Sequence, residues 1–146
     1  MKPLNHLIMS SVVGFASYWV TDSVTIALTT VGTGVIIDCD HLCDYTYYLI
    51  NKKKGLRSFN VKEFLESDYM AKTKKVIVPL HSYELLLPIW FLGIFFNLIP
   101  LAFWITFSFL AHVIADQIAY RTHPLAYFLI FRVVVRFKND SVCRDG

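Results

Sequence analysis

Three stretches of this sequence concentrate residue types that bind metal ions. In GVIIDCDHLCD, residues 34 to 44, an apolar run ends in Asp38, Cys39, Asp40 and His41, with Asp44 one turn further on. His81 and Glu84 are three residues apart, and His112 and Asp116 are four apart. On a helix these spacings put both side chains on one face about one turn apart, a common way to present two ligands to one ion. His6 stands near the N-terminus. A mixed set of imidazoles and carboxylates suits zinc, manganese or iron, and this set is large enough for two ions. Two-metal sites stabilise the attacking and leaving oxygens of an ester or amide hydrolysis and activate water near neutral pH. Taken singly, each residue also has a structural reading: acids at a headgroup layer, an interfacial cap at His6, a hydrogen-bonded core histidine at His81. Asp38, Asp40 and Asp44, however, sit at the C-terminal end of an apolar helix, where the macrodipole disfavours negative charge. A bound cation or nearby lysines must offset that.

The elements that would position these residues are strongly apolar. The chain has 146 residues, room for one domain, of which 55% are hydrophobic and only 17% charged. Soluble domains usually carry about a quarter charged residues. Four apolar segments run over about 7–20, 24–37, 85–99 and 101–115. A fifth, 125–137, is interrupted by Arg132 and Arg136. Each of the four falls short of the roughly 20 residues of a full span, although polar ends and local bilayer thinning can accommodate short helices. The connections at Thr21, Asp22 and Ser23, and near Pro100, are short enough to join antiparallel neighbours. The expected fold is therefore all-α: a polytopic membrane protein of four short transmembrane helices arranged as two hairpins, in a single domain spanning 1–146. The connection over about 42–78 is basic. Within it VKEFLESDYMAKTKK can form an amphipathic interfacial helix, with Val61, Phe64, Leu65 and Tyr69 toward lipid or core.

With four spans, all 14 Lys and Arg fall on one side, which the positive-inside rule makes cytoplasmic, together with both termini and the 121–146 tail. The apolar N-terminal segment lacks a small-residue cleavage site and is expected to be retained. Cys39, Cys43 and Cys143 fall on the same side and are expected to be reduced thiols. A net charge of +3 without a basic, aromatic-interleaved helix gives no reason to expect nucleic acid. In this topology His6, the Asp38/Asp40/His41 group, His81 with Glu84, and His112 with Asp116 all lie at one depth. The expected ligands are His6, Asp38, His41, His81, His112 and Asp116, with Asp40 or Glu84 orienting or deprotonating water. Lys74, Lys75 and Arg121 border the layer and could meet phosphate or lipid headgroups. The expected activity is metal-dependent hydrolysis of a lipid or membrane-proximal ester. A membrane transporter or metal carrier, and a non-catalytic membrane scaffold, are the alternatives.

The same residues resemble a known pattern. Asn5-His6, Asp38-Cys39-Asp40-His41, Leu80-His81-Ser82 and His112-Val113-Ile114-Ala115-Asp116 match in order and spacing the motifs of the membrane-bound metal-dependent hydrolase family, the LexA-regulated inner-membrane type. The resemblance covers roughly residues 5–123. It implies a bacterial inner-membrane hydrolase with a divalent ion, zinc first, and manganese or iron otherwise. The chain departs from the family where a His-Arg pair is usual: Lys74-Lys75-Val76-Ile77-Val78-Pro79-Leu80 stands there, and Glu84 could compensate. The ligand order is also loosely similar to that of zinc-dependent phospholipase C enzymes, which favours a phosphoester substrate.

Overall fold

The computed structural model describes residues 3–53, 55–66 and 69–143. Lys54, Ser67 and Asp68, which belong to the basic and amphipathic segments, lie outside them. The described chain is helical, with two isolated β-bridges and no strand. It divides into two compact units, Met1–Cys39 with Tyr83–Tyr120, and Asp40–Ser82 with Arg121–Gly146.

The first unit contains α1 (Pro3–Thr21), α2 (Val24–Ile36), α6 (Leu86–Phe95) and α7 (Ile99–Tyr120); α3 (His41–Asn51), α4 (Val61–Glu66) and α5 (Tyr69–Thr73) of the second unit come between α2 and α6 in the chain. The α1–α2 reversal is local chemistry. Asp22 takes a left-handed φ of 49° and donates its amide to Tyr18 O at 2.8 Å, closing α1. Ser23 then caps α2, its hydroxyl accepting the Ile26 amide at 3.4 Å. At the α6–α7 reversal Asn97 takes φ 55°, and Pro100 occupies the first turn of α7, where no amide is needed.

Packing in this unit runs opposite to that of a water-soluble bundle. Ser10, Ser17, Thr30, Ser108, His6, His112 and Asp116 are buried, whereas Leu7, Val12, Phe15, Trp19, Leu28, Phe91, Phe95, Phe107 and Ile118 are exposed. Small residues bring the backbones close. A β-carbon on Gly14 would lie 2.3 Å from Val31 Cγ2, and one on Gly93 would lie 2.5 Å from Ala102 Cβ. Such contacts are typical of helices that pair in lipid.

Two helical runs, Val24–Asn51 and Ile99–Tyr120, are long and apolar enough to cross a membrane. The four spans expected from sequence are not all of that kind. In α1, Asn5, His6 and three serines dilute the apolar content. The ten residues of α6 reach only about 15 Å, half of a hydrocarbon core.

The second unit holds α3 (His41–Asn51), α4 (Val61–Glu66), α5 (Tyr69–Thr73), α8 (Leu129–Val134) and α9 (Asn139–Val142). In the basic connection, the stretch expected as an amphipathic helix holds α4 and α5, and α3 precedes it. Tyr45, Tyr48, Leu49 and Tyr69 form its core, with Phe64 and Met70 against it. Glu63 accepts from the hydroxyls of Tyr45 (3.0 Å) and Tyr48 (2.8 Å), so the rings stay buried without orphaned polar tips.

Candidate metal centre

Three four-residue stripes converge in the first unit. On α7 the buried stripe is Ser108, His112 and Asp116; on α2 it is Thr30 and Gly34, continued by Asp38 in the 3-10 turn Ile37–Asp40; on α1 it includes His6 and Ser10. The register is set by hydrogen bonds. Ser108 donates its hydroxyl to Thr30 O at 2.8 Å, and one turn later His112 Nδ1 meets Gly34 O at 2.9 Å. Equal steps in the same sense mean that α2 and α7 run parallel, which delivers Asp38 and Asp116 to the same end.

That Gly34 contact also fixes the chemistry of His112. A carbonyl oxygen only accepts, so Nδ1 must carry the proton. In the neutral ring Nε2 is then a bare lone pair, yet it faces two carboxylate oxygens, Asp38 Oδ1 at 3.3 Å and Asp116 Oδ2 at 3.5 Å. A lone pair and two carboxylates repel one another unless a proton or a cation lies between them. His112 is fully buried, so water cannot dissipate that repulsion. Charge-assisted N–H···O bonds settle near 2.7–2.9 Å, shorter than either separation. Ligand atoms at the corners of a tetrahedron with bonds of about 2.1 Å are separated by roughly 3.4 Å, which is what these pairs show.

His6 completes the group from α1. Its Nε2 lies 3.1 Å from Asp116 Oδ1, and its ring stacks on His112 with centroids 3.9 Å apart. His6 Nδ1 is buried with no hydrogen-bond partner among the described residues. Two stacked imidazolium rings would repel each other, so protonating both histidines is a poor way to neutralise the acids. Each of His6, Asp38, His112 and Asp116 offers one ligand atom, and those atoms all lie within 4.8 Å of one another. This buried His/Asp group could bind a metal ion, and two imidazoles with two carboxylates suit a divalent one. Holding His112 by a backbone carbonyl through its other nitrogen is the usual support for a ligating histidine. Asp38 is the member open to the outside, with 24% of its side chain exposed.

The remaining residues singled out in the sequence stand outside this group of four. Asp40, His41 and His81 belong to the second unit. Asp40 accepts the amides of Leu80 (2.6 Å) and His81 (3.2 Å) and contacts His81 Nδ1 at 3.1 Å through both oxygens. Its carboxylate is therefore engaged in holding the 80–81 backbone. The His41 ring lies 5.3 Å from that of His81. Glu84 sits half-buried in the turn Tyr83–Leu85, outside the group of four.

Two residues here went unassigned in the sequence reading. Asp44 accepts the amides of Ile77 (2.7 Å) and Val78 (3.1 Å). Arg132, fully buried, donates to the carbonyls of Ile77, Val78 and His81 and to the Ser82 hydroxyl. Carboxylates take the amides of the 77–82 segment while a guanidinium takes its carbonyls. The only sequence signal for this was an arginine inside an apolar stretch. In comparisons with known proteins, no family model, curated protein or solved structure matches the chain, so the reading of the centre rests on its own residues.

Proposed function

We propose that the protein is a membrane-embedded, metal-dependent hydrolase acting on a lipid or membrane-proximal phosphoester, with His6, Asp38, His112 and Asp116 as the ion's ligands. The observation that carries this reading is the His112 geometry: Nδ1 committed to Gly34 O, and Nε2 aimed at two carboxylates. Zinc is the first ion to test, followed by manganese and iron. A divalent ion there would polarise a phosphoryl oxygen and lower the pKa of a bound water.

The chain's own residues contribute the rest. Gly34 O keeps the His112 lone pair pointed at the centre. Asp116 orients His6 and balances charge. Asp38, the exposed ligand, marks the side from which substrate and water arrive. Glu84 is the proposed base, because Asp40 Oδ2 accepts two backbone amides and both Asp40 oxygens contact His81 Nδ1. The outward apolar surface of α1, α2, α6 and α7 supports a membrane location. The basic asymmetry and the motif resemblance support a four-span arrangement in a bacterial inner membrane with both termini cytoplasmic.

The test is elemental mass spectrometry on detergent-purified protein, wild type beside His112→Ala and Asp116→Asn, followed by phospholipid hydrolysis in reconstituted vesicles. Near-stoichiometric metal in wild type alone, with turnover lost in both variants, is the expected result. Metal-free wild type after reloading refutes the centre. Metal uptake into proteoliposomes without turnover makes the protein a carrier.

A further inference from the structure

Helix α8 (Leu129–Val134) is built inside out. Its one charged residue, Arg132, is fully buried and committed to backbone carbonyls, while Ile130, Val133 and Val134 are 71%, 54% and 73% exposed. Six residues cannot hold an exposed apolar face in place by helix propensity alone. Arg132 anchors it from beneath. Something apolar must cover the face, because the chain supplies a charge to the inner side and none to the outer.

The chain immediately after α8 shows what kind of surface that is. Arg136 N donates to Val133 O, Phe137 N to Arg132 O and Lys138 N to Val135 O, folding the turn back onto the helix end. Lys138 forms a bridge with Lys75, Val76 N donates to Phe137 O, and Asn139 N donates to Lys74 O. Backbone bonds therefore gather Lys74, Lys75, Arg136 and Lys138 beside the exposed apolar face. Lys74, Arg136 and Phe137 reach this arrangement with φ of 55°, 55° and 58°, a conformation that costs a non-glycine residue about 1 kcal/mol or more. None of the four cations is in an ion pair with a described carboxylate. Asp140, exposed two residues after Lys138, removes only one charge from the cluster.

An apolar strip bordered by four cations, of which Lys75 lies over the Tyr47 ring at 5.8 Å, is complementary to a bilayer with anionic headgroups: acyl chains for the strip, phosphates for the rim. We propose that this edge of the second unit docks on the anionic phospholipid surface. It shares no residue with the candidate metal centre and does not depend on it.

The test uses the full chain in detergent and measures bound lipid by native mass spectrometry, with phosphatidylglycerol and phosphatidylcholine in competition. The perturbation is the fourfold variant Lys74→Gln, Lys75→Gln, Arg136→Gln and Lys138→Gln. Each cation near such a surface is worth about fivefold in affinity, so wild type should prefer phosphatidylglycerol and the variant, short of four cations, should lose that preference by roughly 600-fold. The triple variant Lys74→Arg, Lys75→Arg and Lys138→Arg keeps the charge and should keep the preference, which separates charge from misfolding. Ile130→Ser with Val134→Ser should weaken both lipids alike. An unchanged preference in the fourfold variant overturns the proposal. So does displacement of the lipid by millimolar inorganic phosphate, which would mark a soluble-anion site. So does a second copy of the chain on the strip that excludes lipid.

Discussion

Gly34→Ala tests whether the helix packing and the metal centre are one structure. The added methyl would lie 1.9 Å from Ser10 Oγ, 2.8 Å from Ser10 Cβ and 3.1 Å from Ser108 Oγ. Ser10 Oγ can rotate away. Ser10 Cβ cannot, because it is fixed to the α1 backbone, so α1 must retreat by about 0.6 Å to reach the 3.4 Å where ordinary contact begins. His6 is one turn before Ser10 on the same face of α1, so the retreat carries His6 away from Asp116. Overpacking of this kind costs roughly 1–3 kcal/mol, and the better helix propensity of alanine returns up to about 1 kcal/mol. The net loss of stability is therefore roughly 0–2 kcal/mol, small enough for the protein to fold. The larger effect falls on the centre. Disturbing the support of a metal ligand lowers affinity by about 10- to 100-fold. The assay is retention of the purified ion against a graded chelator in detergent. Ser10→Gly removes both Ser10 contacts, so combining it with Gly34→Ala should restore most of the loss, a coupling that a double-mutant cycle reads directly. If Gly34→Ala holds metal as tightly as wild type, or if Ser10→Gly gives no recovery, the link between this packing contact and the site is wrong.

Three other outcomes are expected. Asp116→Asn removes the carboxylate shared by His6 and His112, so metal content should fall to background while helicity by circular dichroism stays near wild type. Arg132→Leu leaves three carbonyls, the Ser82 hydroxyl and the buried Asp44 without their guanidinium; it should destabilise the second unit by about 3–5 kcal/mol, seen as early proteolysis or faster amide exchange over 76–82. Burial pushes the Cys143 thiol up from its ordinary pKa, so less of it is thiolate at any given pH. It should react with iodoacetamide more slowly than the exposed Cys39 and Cys43 at about pH 8, speed up as pH rises, and react fully in denaturant. Equal labelling of all three in folded protein would count against this.

The candidate centre was legible in the sequence where its chemistry is local. His112 and Asp116 declare themselves by helical spacing, and His6 and Asp38 by being ionisable at the ends of apolar runs. The division of labour within GVIIDCDHLCD was not legible. Asp38 joins the centre, whereas Asp40 and Asp44 hold backbone amides more than thirty residues away in sequence. Partners so distant leave no periodic trace, and neither does an arginine whose acceptors are main-chain carbonyls. The register of α2 on α7 was present but unread: Thr30, Gly34 and Asp38 repeat every four residues, as do Ser108, His112 and Asp116. Helix type followed from apolar content, while lengths did not, because α6 stops at Phe95 when Asn97 turns the chain.

The pairing of Gly34 with His112 joins positions 78 residues apart. A ribosome making this protein therefore finishes α1 and α2, with His6 and Asp38 in place, long before α7 exists. Until then those two ligands wait without the residues that balance them. The candidate centre closes only with α7, and a chain cut anywhere before α7 carries half of the group. Any ion the group takes can therefore be held by all four residues only once α7 has been made.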